Sequence, residues 1–352
     1  MPLTAAKLVD DPVGTYPQAT VACFDPTRGD LPRRELDEGR TVSYLERLAA
    51  LGAPAVLIAS STGQGHLRTV EELKAWIRCA ARARLGQTTP MALLRPEDGA
   101  AANARLMDLL AQHAFPVVFF RPGTDLPEGA GDEEVVEQLA PLVAGAARRG
   151  LAVGLYTIPD VSGLPLTPEA AARLVVADGG EHIVAVKVTE ADYEASTARF
   201  LAHPDLRGLK IVQGWDPHLA RALRDGPASD PQGRQRAGIT SGLMALAAHQ
   251  YRHILAAAER ADWEEVAFAQ GAAIALFQAM QDAPGHFADL QRAKYVMGLG
   301  HPLTGTVTGA QAEAVLAAVE GLDRAEDRDR IARSLDLMGD GPYHQRLAAL
   351  VG

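Results

Sequence analysis

Short apolar runs alternate with longer amphipathic stretches along most of the chain. From residue 19 onward, runs of β-branched and small apolar residues are separated by Ala- and Leu-rich stretches with helical spacing. The predicted strands are 19–24, 54–60, 89–94, 115–120, 151–157, 182–188, 209–213 and 237–241, and the predicted helices between them are 41–52, 69–85, 99–113, 132–149, 167–178, 190–203 and 216–224. Eight strands with intervening helices are what a (β/α)₈ barrel requires, and a doubly wound sheet usually has fewer. We therefore predict an α/β fold of the TIM barrel type.

The strand pattern ends near residue 242, and only helical spacing follows it. The predicted helices of this region are 242–260, 262–282, 286–298, 309–321 and 326–338. We predict an N-terminal segment (1–18), a barrel (19–260) and a C-terminal helical region packed on the barrel (261–352). The stretch 225–236, rich in Gly, Pro and Asp, is predicted to be a loop on the face of the barrel opposite the active site.

Composition and charge restrict the classes of partner. The 352 residues are 47% hydrophobic and 22% charged, which is typical of a folded globular chain, and the formal net charge of -10 argues against nucleic acid or an anionic membrane as a partner. No apolar run has the length of a membrane span, and the N-terminus does not have the pattern of a signal peptide. Two cysteines are too few for a disulfide scaffold. We expect a cytoplasmic protein that acts on small molecules.

A lysine in a predicted buried strand is the first candidate for chemistry. Lys187 ends the apolar run 182–188, where apolar side chains should surround its amine. A buried ammonium loses hydration, which favours the neutral, nucleophilic amine that forms Schiff bases. The run alone also fits a strand-end lysine whose head reaches solvent.

Two further strand ends carry polar groups. The predicted fifth strand ends at Tyr156, which could relay protons to a carbonyl bound by an amine on the next strand. After the second strand, the small hydroxyl residues and glycines of 60–65 could hold a carboxylate near a helix N-terminus, although an ordinary capping turn fits the same residues. Arg68 stands where a dinucleotide-binding motif needs its third glycine, so we do not predict nucleotide binding.

Together these segments resemble the dihydrodipicolinate synthase and N-acetylneuraminate lyase family of class I aldolases. Ser60-Ser61-Thr62-Gly63-Gln64 is close to the family's G-[ST]-T-G-E, Leu155-Tyr156-Thr157-Ile158-Pro159 to its L-Y-N-x-P, and Val184-Ala185-Val186-Lys187 to its x-G-x-K, in the same order and spacing. The segments 213–216 and 238–242 look like the family's G-x-D and G-x-x-S substrate loops. The resemblance covers most of residues 15–320 and favours the functional interpretation of Lys187.

The resemblance implies roles for these residues. Lys187 would form an imine with the ketone of a 2-oxo acid, Tyr156 would relay protons, and Ser61 and Thr62 would hold the substrate carboxylate or hydrogen-bond Tyr156. The substrate would also meet the remaining candidate site residues, which are Ser60, Gly63, Phe120, Arg121, Gly214, Asp216 and Ser241. No cofactor or metal is implied, and a homo-oligomer, either a dimer or a tetramer, is expected.

Two departures from the family pattern argue against dihydrodipicolinate synthase activity itself. Phe119 and Phe120 stand where those synthases carry a tyrosine pair, and phenylalanine cannot pass protons. Val161 stands where they place an arginine that binds a substrate carboxylate. His66 could replace the relay and Arg121 the carboxylate contact, although a helix-leading histidine commonly caps or packs and a loop arginine is commonly solvated.

Three functions remain after this comparison. The first is a Schiff-base-forming lyase of the aldolase type that acts on a 2-oxo acid such as pyruvate or a 2-keto-3-deoxy sugar acid. The second is a dehydratase of such a sugar acid through the same imine, and the third is a protein that binds a 2-oxo acid or sugar acid without turnover. A metal site at His249 and His253 is not predicted, because Gln250 replaces the expected glutamate and no third ligand follows.

Overall fold

The eight predicted strands form a closed parallel barrel. The computed structural model describes residues 3–28, 35–280, 290–304 and 307–338, together with residues 345 and 349. The strands follow one another around the barrel in chain order, and every pairing with a recorded register is parallel. They are β1 Ala19–Ala22, β2 Ala55–Ile58, β3 Thr89–Leu94, β4 Val117–Phe120, β5 Ala152–Thr157, β6 Ile183–Val188, β7 Lys210–Gln213 and β8 Ala237–Ser241. The predicted TIM barrel is confirmed.

Helices follow the strands as the amphipathic stretches predicted, with two short additional helices before β1. The helices of the described residues are α1 Ala5–Asp10, α2 Pro12–Thr15, α3 Glu38–Ala50, α4 Val70–Arg82, α5 Ala100–Gln112, α6 Asp132–Ala147, α7 Pro159–Ser162, α8 Pro168–Val175, α9 Thr197–Ala202, α10 Leu219–Ala228, α11 Ala248–Glu259, α12 Trp263–Met280, α13 Gln291–Val296, α14 Gly309–Glu320 and α15 Ala325–Leu335. The end of the helix predicted to reach residue 282 and the start of the helix predicted at 286 lie outside the described residues. None of the helices described has both the length and the apolar character needed to cross a membrane.

The end of α10 differs from the prediction. The helix continues to Ala228 through Gly226 and Pro227, into the stretch predicted as a loop. Proline has no N–H and leaves the carbonyl four residues earlier without its helical partner. That carbonyl, on Leu223, instead accepts a hydrogen bond of 2.8 Å from the Gln235 side chain. A contact from outside the helix therefore compensates for the proline, and local composition could not show this contact.

The chain divides into two compact units. The first comprises Met1–Thr20 and Gln87–Thr240, and the second comprises Val21–Gly86 and Ser241–Gly352. In the first unit, residues of β4, β5 and β6 pair in register, and Tyr156 lies directly beside Lys187. Side chains alternate between the two faces of a strand, so Gly154, Tyr156 and Lys187 share one face.

The second unit contains β2, half of β1, α3, α4 and the helices after β8. Thr69 begins α4 with a capping box, in which its hydroxyl accepts from the Glu72 N–H and the Glu72 carboxylate accepts from the Thr69 N–H. Buried apolar residues of α3, α4 and the C-terminal helices make up most of the core of this unit. Its buried polar residues include Ser60, Ser61 and Thr62, which follow β2.

Candidate functional site

Lys187 and Tyr156 form a close pair at the ends of β5 and β6. The Lys187 Nζ lies over the Tyr156 ring, 3.9 Å from its centroid. Both residues are buried, with 4% of Lys187 and 1% of Tyr156 exposed. Lys187 is therefore not a strand-end lysine reaching into solvent. An ammonium over a ring face is stabilised by the ring quadrupole, and the ring also excludes water from one side of the amine.

A glycine makes room for the Lys187 side chain. A Cβ at Gly214, which follows β7, would overlap the Thr189 hydroxyl and lie 3.1 Å from the Lys187 Cε. The Gly214 N–H donates to the Val188 carbonyl at 2.7 Å, which holds the backbone at this close approach. Asp216 is buried and begins the 3₁₀ turn Asp216–His218 two residues later. The structure therefore places Gly214 beside Lys187.

Thr189 is a neighbour of the amine that the sequence analysis did not identify. Its hydroxyl is buried and has no hydrogen-bond partner within the described part of the chain. Strand alternation could have identified it, because a residue two positions after Lys187 projects to the same side. An unpaired hydroxyl beside a nucleophilic amine is a polar group available to a bound ligand.

A carboxylate lies close to the end of β5. Thr157 projects to the opposite face from Tyr156, where its hydroxyl donates to a Glu190 oxygen at 2.6 Å. Burial raises the pKa of the Glu190 carboxyl, and the nearby charges of Asp160 and Asp192 raise it further. The loops after β5 and β6 thus carry three carboxyl groups in one neighbourhood.

Arg121 and Phe120 lie at the end of β4, and both are completely buried. Arg121 is fully buried, so it is not a solvated loop arginine, and its guanidinium forms an ion pair with Glu97 and donates to the Pro122 carbonyl at 2.7 Å. Phe120 pairs with Leu155 and therefore projects to the face opposite Tyr156 and Lys187.

Phe119 projects to the opposite face of β4 from Phe120. It pairs with Gly154, and its ring lies against the place where a Gly154 side chain would be. Phe119 therefore shares the strand face of Lys187, and the substrate-site role of Phe120 stays a prediction.

In the second unit, the hydroxyl loop, which we define as Ser60–Gly65, follows β2 with a strained backbone. Ala59 and Gln64 adopt positive φ angles of 57° and 50°, and such strain in residues with side chains is found most often at functional positions. The Ser60 and Ser61 hydroxyls are buried without a hydrogen-bond partner among the described residues. Gly63 is required where it stands, because a Cβ there would lie 2.6 Å from the Cys23 carbonyl. The loop thus holds hydroxyls and backbone N–H groups in a fixed arrangement.

The end of β8 lies against this loop. A Cβ at Gly242 would overlap the Thr62 hydroxyl, so Thr62 packs on the backbone that follows Ser241. The Ser241 hydroxyl accepts a hydrogen bond of 3.0 Å from the Leu243 N–H, which begins a 3₁₀ turn. Ser241 and the hydroxyl loop therefore belong to one neighbourhood of the second unit.

The histidines considered in the sequence analysis lie in a 3₁₀ turn and in α11. His66 is partly buried in the 3₁₀ turn Gly65–Leu67. His253 pairs with Glu265 at 2.5 Å, and Gln250, between the two histidines of α11, donates to the Ala269 carbonyl at 2.9 Å. A search of the described residues found no group of three or more His, Cys, Asp or Glu side chains that could hold a metal ion.

Comparisons with known proteins agree with this architecture. No protein-family model matches the chain. It is 29% identical over 197 residues to the 4-hydroxy-tetrahydrodipicolinate synthase of Xanthomonas axonopodis pv. citri, covering 55% of this chain and 60% of that enzyme. It is 30% identical over 195 residues to the enzyme of the same name from Xylella fastidiosa, covering 54% and 59%. The matches thus span less than two thirds of either relative.

A solved structure extends the likeness over the whole barrel. A variant of the 2-keto-3-deoxygluconate aldolase from Sulfolobus solfataricus superimposes with a TM-score of 0.72 and 16% identity, covering 90% of this chain and 99% of the aldolase. An identity this low shows a common fold. The chain is thus similar over part of its length to two 4-hydroxy-tetrahydrodipicolinate synthases, in agreement with the resemblance that the three motifs indicated, and it shares its barrel fold with the solved aldolase.

Proposed function

We propose that this protein is a Schiff-base-forming lyase of the aldolase type that acts on a 2-oxo acid. One observation carries the proposal: the Lys187 amine lies 3.9 Å from the centre of the Tyr156 phenol ring, on paired ends of neighbouring strands. This arrangement puts a nucleophile and a proton carrier within reach of one carbonyl group.

The chemistry follows from the two side chains. The neutral Lys187 amine attacks the ketone carbon, and loss of water from the resulting carbinolamine gives a protonated imine. The imine accepts the electron pair that is released when the bond between C3 and C4 of the substrate breaks, so the products are an enamine and an aldehyde. Tyr156 donates its phenol proton to the hydroxyl that leaves the carbinolamine as water, and the resulting phenolate takes the proton of the C4 hydroxyl during cleavage. It passes that proton to the enamine carbon, and addition of water to the imine then releases pyruvate and the free amine while a proton returns to the phenolate.

We assign the substrate carboxylate to the hydroxyl loop. Ser61 and Thr62 would donate their hydroxyls to it, and the backbone around Ser60 and Gly63 would fix their direction. The support is the unpaired, buried state of the Ser61 hydroxyl and the strained backbone of Ala59, just before the loop, and of Gln64 within it. Such preorganised donors bind an anion without reorganising when it arrives.

The far end of the substrate is proposed to be neutral and rich in hydroxyl groups. Val161 stands where dihydrodipicolinate synthases place an arginine that binds a substrate carboxylate, and its side chain offers no cation. A second substrate carboxylate would have no cation from this position, so a 2-keto-3-deoxy sugar acid fits better than the substrate of dihydrodipicolinate synthase. The structural neighbour named as a 2-keto-3-deoxygluconate aldolase supports this choice. Gly214, Asp216 and Ser241 would border the distal hydroxyls.

Cyanoborohydride trapping tests the imine. Incubation with pyruvate should reduce the imine to a stable adduct on Lys187, identified by peptide mass spectrometry. Lys187→Met should abolish the adduct, whereas Lys210→Met, which removes another buried lysine of the same unit, should leave it intact. An adduct that survives Lys187→Met, or no adduct in the wild type with any 2-oxo acid, contradicts the proposal. Tyr156→Phe should retain the adduct and lower the cleavage rate by about 10²-fold or more.

Product analysis separates the remaining alternatives. A cleaved 2-keto-3-deoxy sugar acid releases pyruvate, whereas a dehydratase eliminates water through the same imine and releases none. Binding without turnover of any member of a 2-oxo acid panel would favour the non-catalytic alternative.

We further propose that the protein is a cytoplasmic homo-oligomer. Cys23 and Cys79 are both buried and free, which is usual in a reducing compartment. Light scattering on the purified protein measures the assembly.

A further inference from the structure

The segment after α12 that the structure describes as residues 290–304 contacts the hydroxyl loop through polar groups. The Gln291 amide donates a hydrogen bond to the Thr62 carbonyl, and the Leu303 N–H donates to the Gln64 side-chain oxygen at 2.6 Å. Both acceptors belong to the loop, one on each side of Gly63. The loop is therefore held by a segment more than two hundred residues away in the sequence.

A buried ion cluster fixes the same segment from a second direction. Asp25, which follows β1, accepts a hydrogen bond of 2.9 Å from the Lys294 ammonium of α13. Its other oxygen pairs with Arg68, which ends the 3₁₀ turn directly after the hydroxyl loop. The side chains of Asp25 and Lys294 are completely buried, and that of Arg68 is 1% exposed.

Buried charges of this kind tolerate little displacement. Each ion is held only by its partners, so moving one of them leaves an uncompensated charge in the interior. The Lys294 pKa is lowered by burial, and the charge of Asp25 opposes this change. Asp25 thus connects α13 directly to Arg68, which follows the hydroxyl loop, and α13 also contacts Thr62 within the loop through Gln291.

We propose that residues 290–304 are a positioning element for the carboxylate-binding hydroxyls. Gln291 fixes the Thr62 peptide, and Lys294 fixes the helix that carries Gln291. The Ser61 and Thr62 hydroxyls are therefore held ready for the substrate anion, and the segment sets affinity for the carboxylate without touching it. This inference rests on the proposed function for the role of the hydroxyls, whereas the contacts between residues 290–304 and the hydroxyl loop do not depend on any reaction.

The first test compares a substrate that has the carboxylate with one that lacks it. Gln291→Leu removes the hydrogen bond to Thr62 at similar side-chain size, and Gln278→Leu, on the exposed face of α12, is the matched control. Adduct formation on Lys187 is measured against the concentrations of pyruvate and methyl pyruvate. For Gln291→Leu the half-saturating concentration of pyruvate should rise about tenfold, while that of methyl pyruvate and both limiting rates stay within about twofold. An equal rise for both compounds, or for neither, overturns the proposal.

The second test does not need the reaction. Hydrogen exchange of the ligand-free protein reports the amides of Gly63, Gln64 and Gly65, each of which donates within the loop. In Gln291→Leu these amides should exchange about tenfold faster, while amides of α5 in the other unit stay unchanged.

Lys294→Met should have the same effect as Gln291→Leu on loop exchange, and Lys294→Arg should largely restore protection. Unchanged loop exchange in the two disruptive variants overturns the link, and equal acceleration in α5 shows a general loss of stability instead. If the wild type forms no adduct with any 2-oxo acid, the proposed function fails, and exchange still decides whether the segment holds the loop.

Discussion

Lys210 should make the stability of this protein rise at alkaline pH. Lys210 is buried, with 2% of its surface exposed. Among the described residues, its ammonium donates to the carbonyls of Val13 at 2.8 Å and Gln235 at 2.6 Å. Burial lowers the pKa of Lys210 from its usual 10.5 to about 8, and Asp11 and Arg234 act on it in opposite directions. Two carbonyl dipoles do not replace the hydration of a full charge.

The sign and size of the effect follow from proton linkage. Between pH 8 and 10.5 the unfolded chain retains the Lys210 proton, while the folded chain has lost it. The unfolded state therefore binds more protons, and the free energy of unfolding rises with pH in this window. The full difference between the two pKa values corresponds to about 3 kcal/mol, or about 1.4 kcal/mol for each pH unit. Below pH 8 Lys210 is charged in both the folded and the unfolded chain, so the buried charge lowers the free energy of unfolding by its full amount.

Urea unfolding at pH 7.5, 8.5, 9.5 and 10.5 would measure this contribution. Lys210→Met cannot titrate at this position. The unfolding free energy of the wild type minus that of the variant should therefore increase by about 3 kcal/mol as the pH rises across the series. Lys7→Met, at an exposed lysine of α1, should follow the wild type, because that ammonium remains in water when the chain folds. Parallel curves for wild type and Lys210→Met would refute the reasoning.

Two further predictions concern the amine and the C-terminal helices. Gly214→Ala should slow adduct formation at least about tenfold by displacing Lys187, and a second change, Thr189→Ala, should restore part of the rate because it removes the hydroxyl that the new methyl group meets. Hydrogen bonds from Arg324 lower the pKa of Glu265 to about 2, so Glu265 stabilises the fold above pH 4.5 and this stability is lost as the pH falls toward 2. Glu265→Gln should therefore flatten the decline of the urea midpoint between pH 5 and 2.5, and an unchanged decline would contradict this assignment.

The barrel was predictable because its signal is local and repeated. Each buried parallel strand is a short apolar run, and each helix after it has a stripe of Ala and Leu, so the same pattern is present eight times. Errors occurred where a tertiary contact replaced the local preference. The predicted helix 190–203 forms only over Thr197–Ala202, because the residues before it make the loop in which Glu190 meets Thr157.

The candidate site was predictable in part for the same reason. Lys187 and Tyr156 end consecutive strands, so their neighbourhood follows from chain order alone. The choice between Phe119 and Phe120 depends on strand register, and an error of one residue exchanges the two faces. Gln291 and Lys294 could not be predicted, since neither lies near its partner in the sequence and buried polar pairs have no local pattern.

Burial alone does not distinguish the proposed nucleophile from the other lysines. Lys210 and Lys294 are as buried as Lys187, but the first donates to two carbonyls and the second to the Asp25 carboxylate. These acceptors engage the nitrogen as a donor and fix the direction of its N–H bonds, so the amine is not free to turn toward a ligand. The Tyr156 ring attracts the Lys187 ammonium through its face, without an oxygen that fixes the direction of an N–H. An amine that is buried, attracted and yet free to turn toward a carbonyl is the one suited to form an imine.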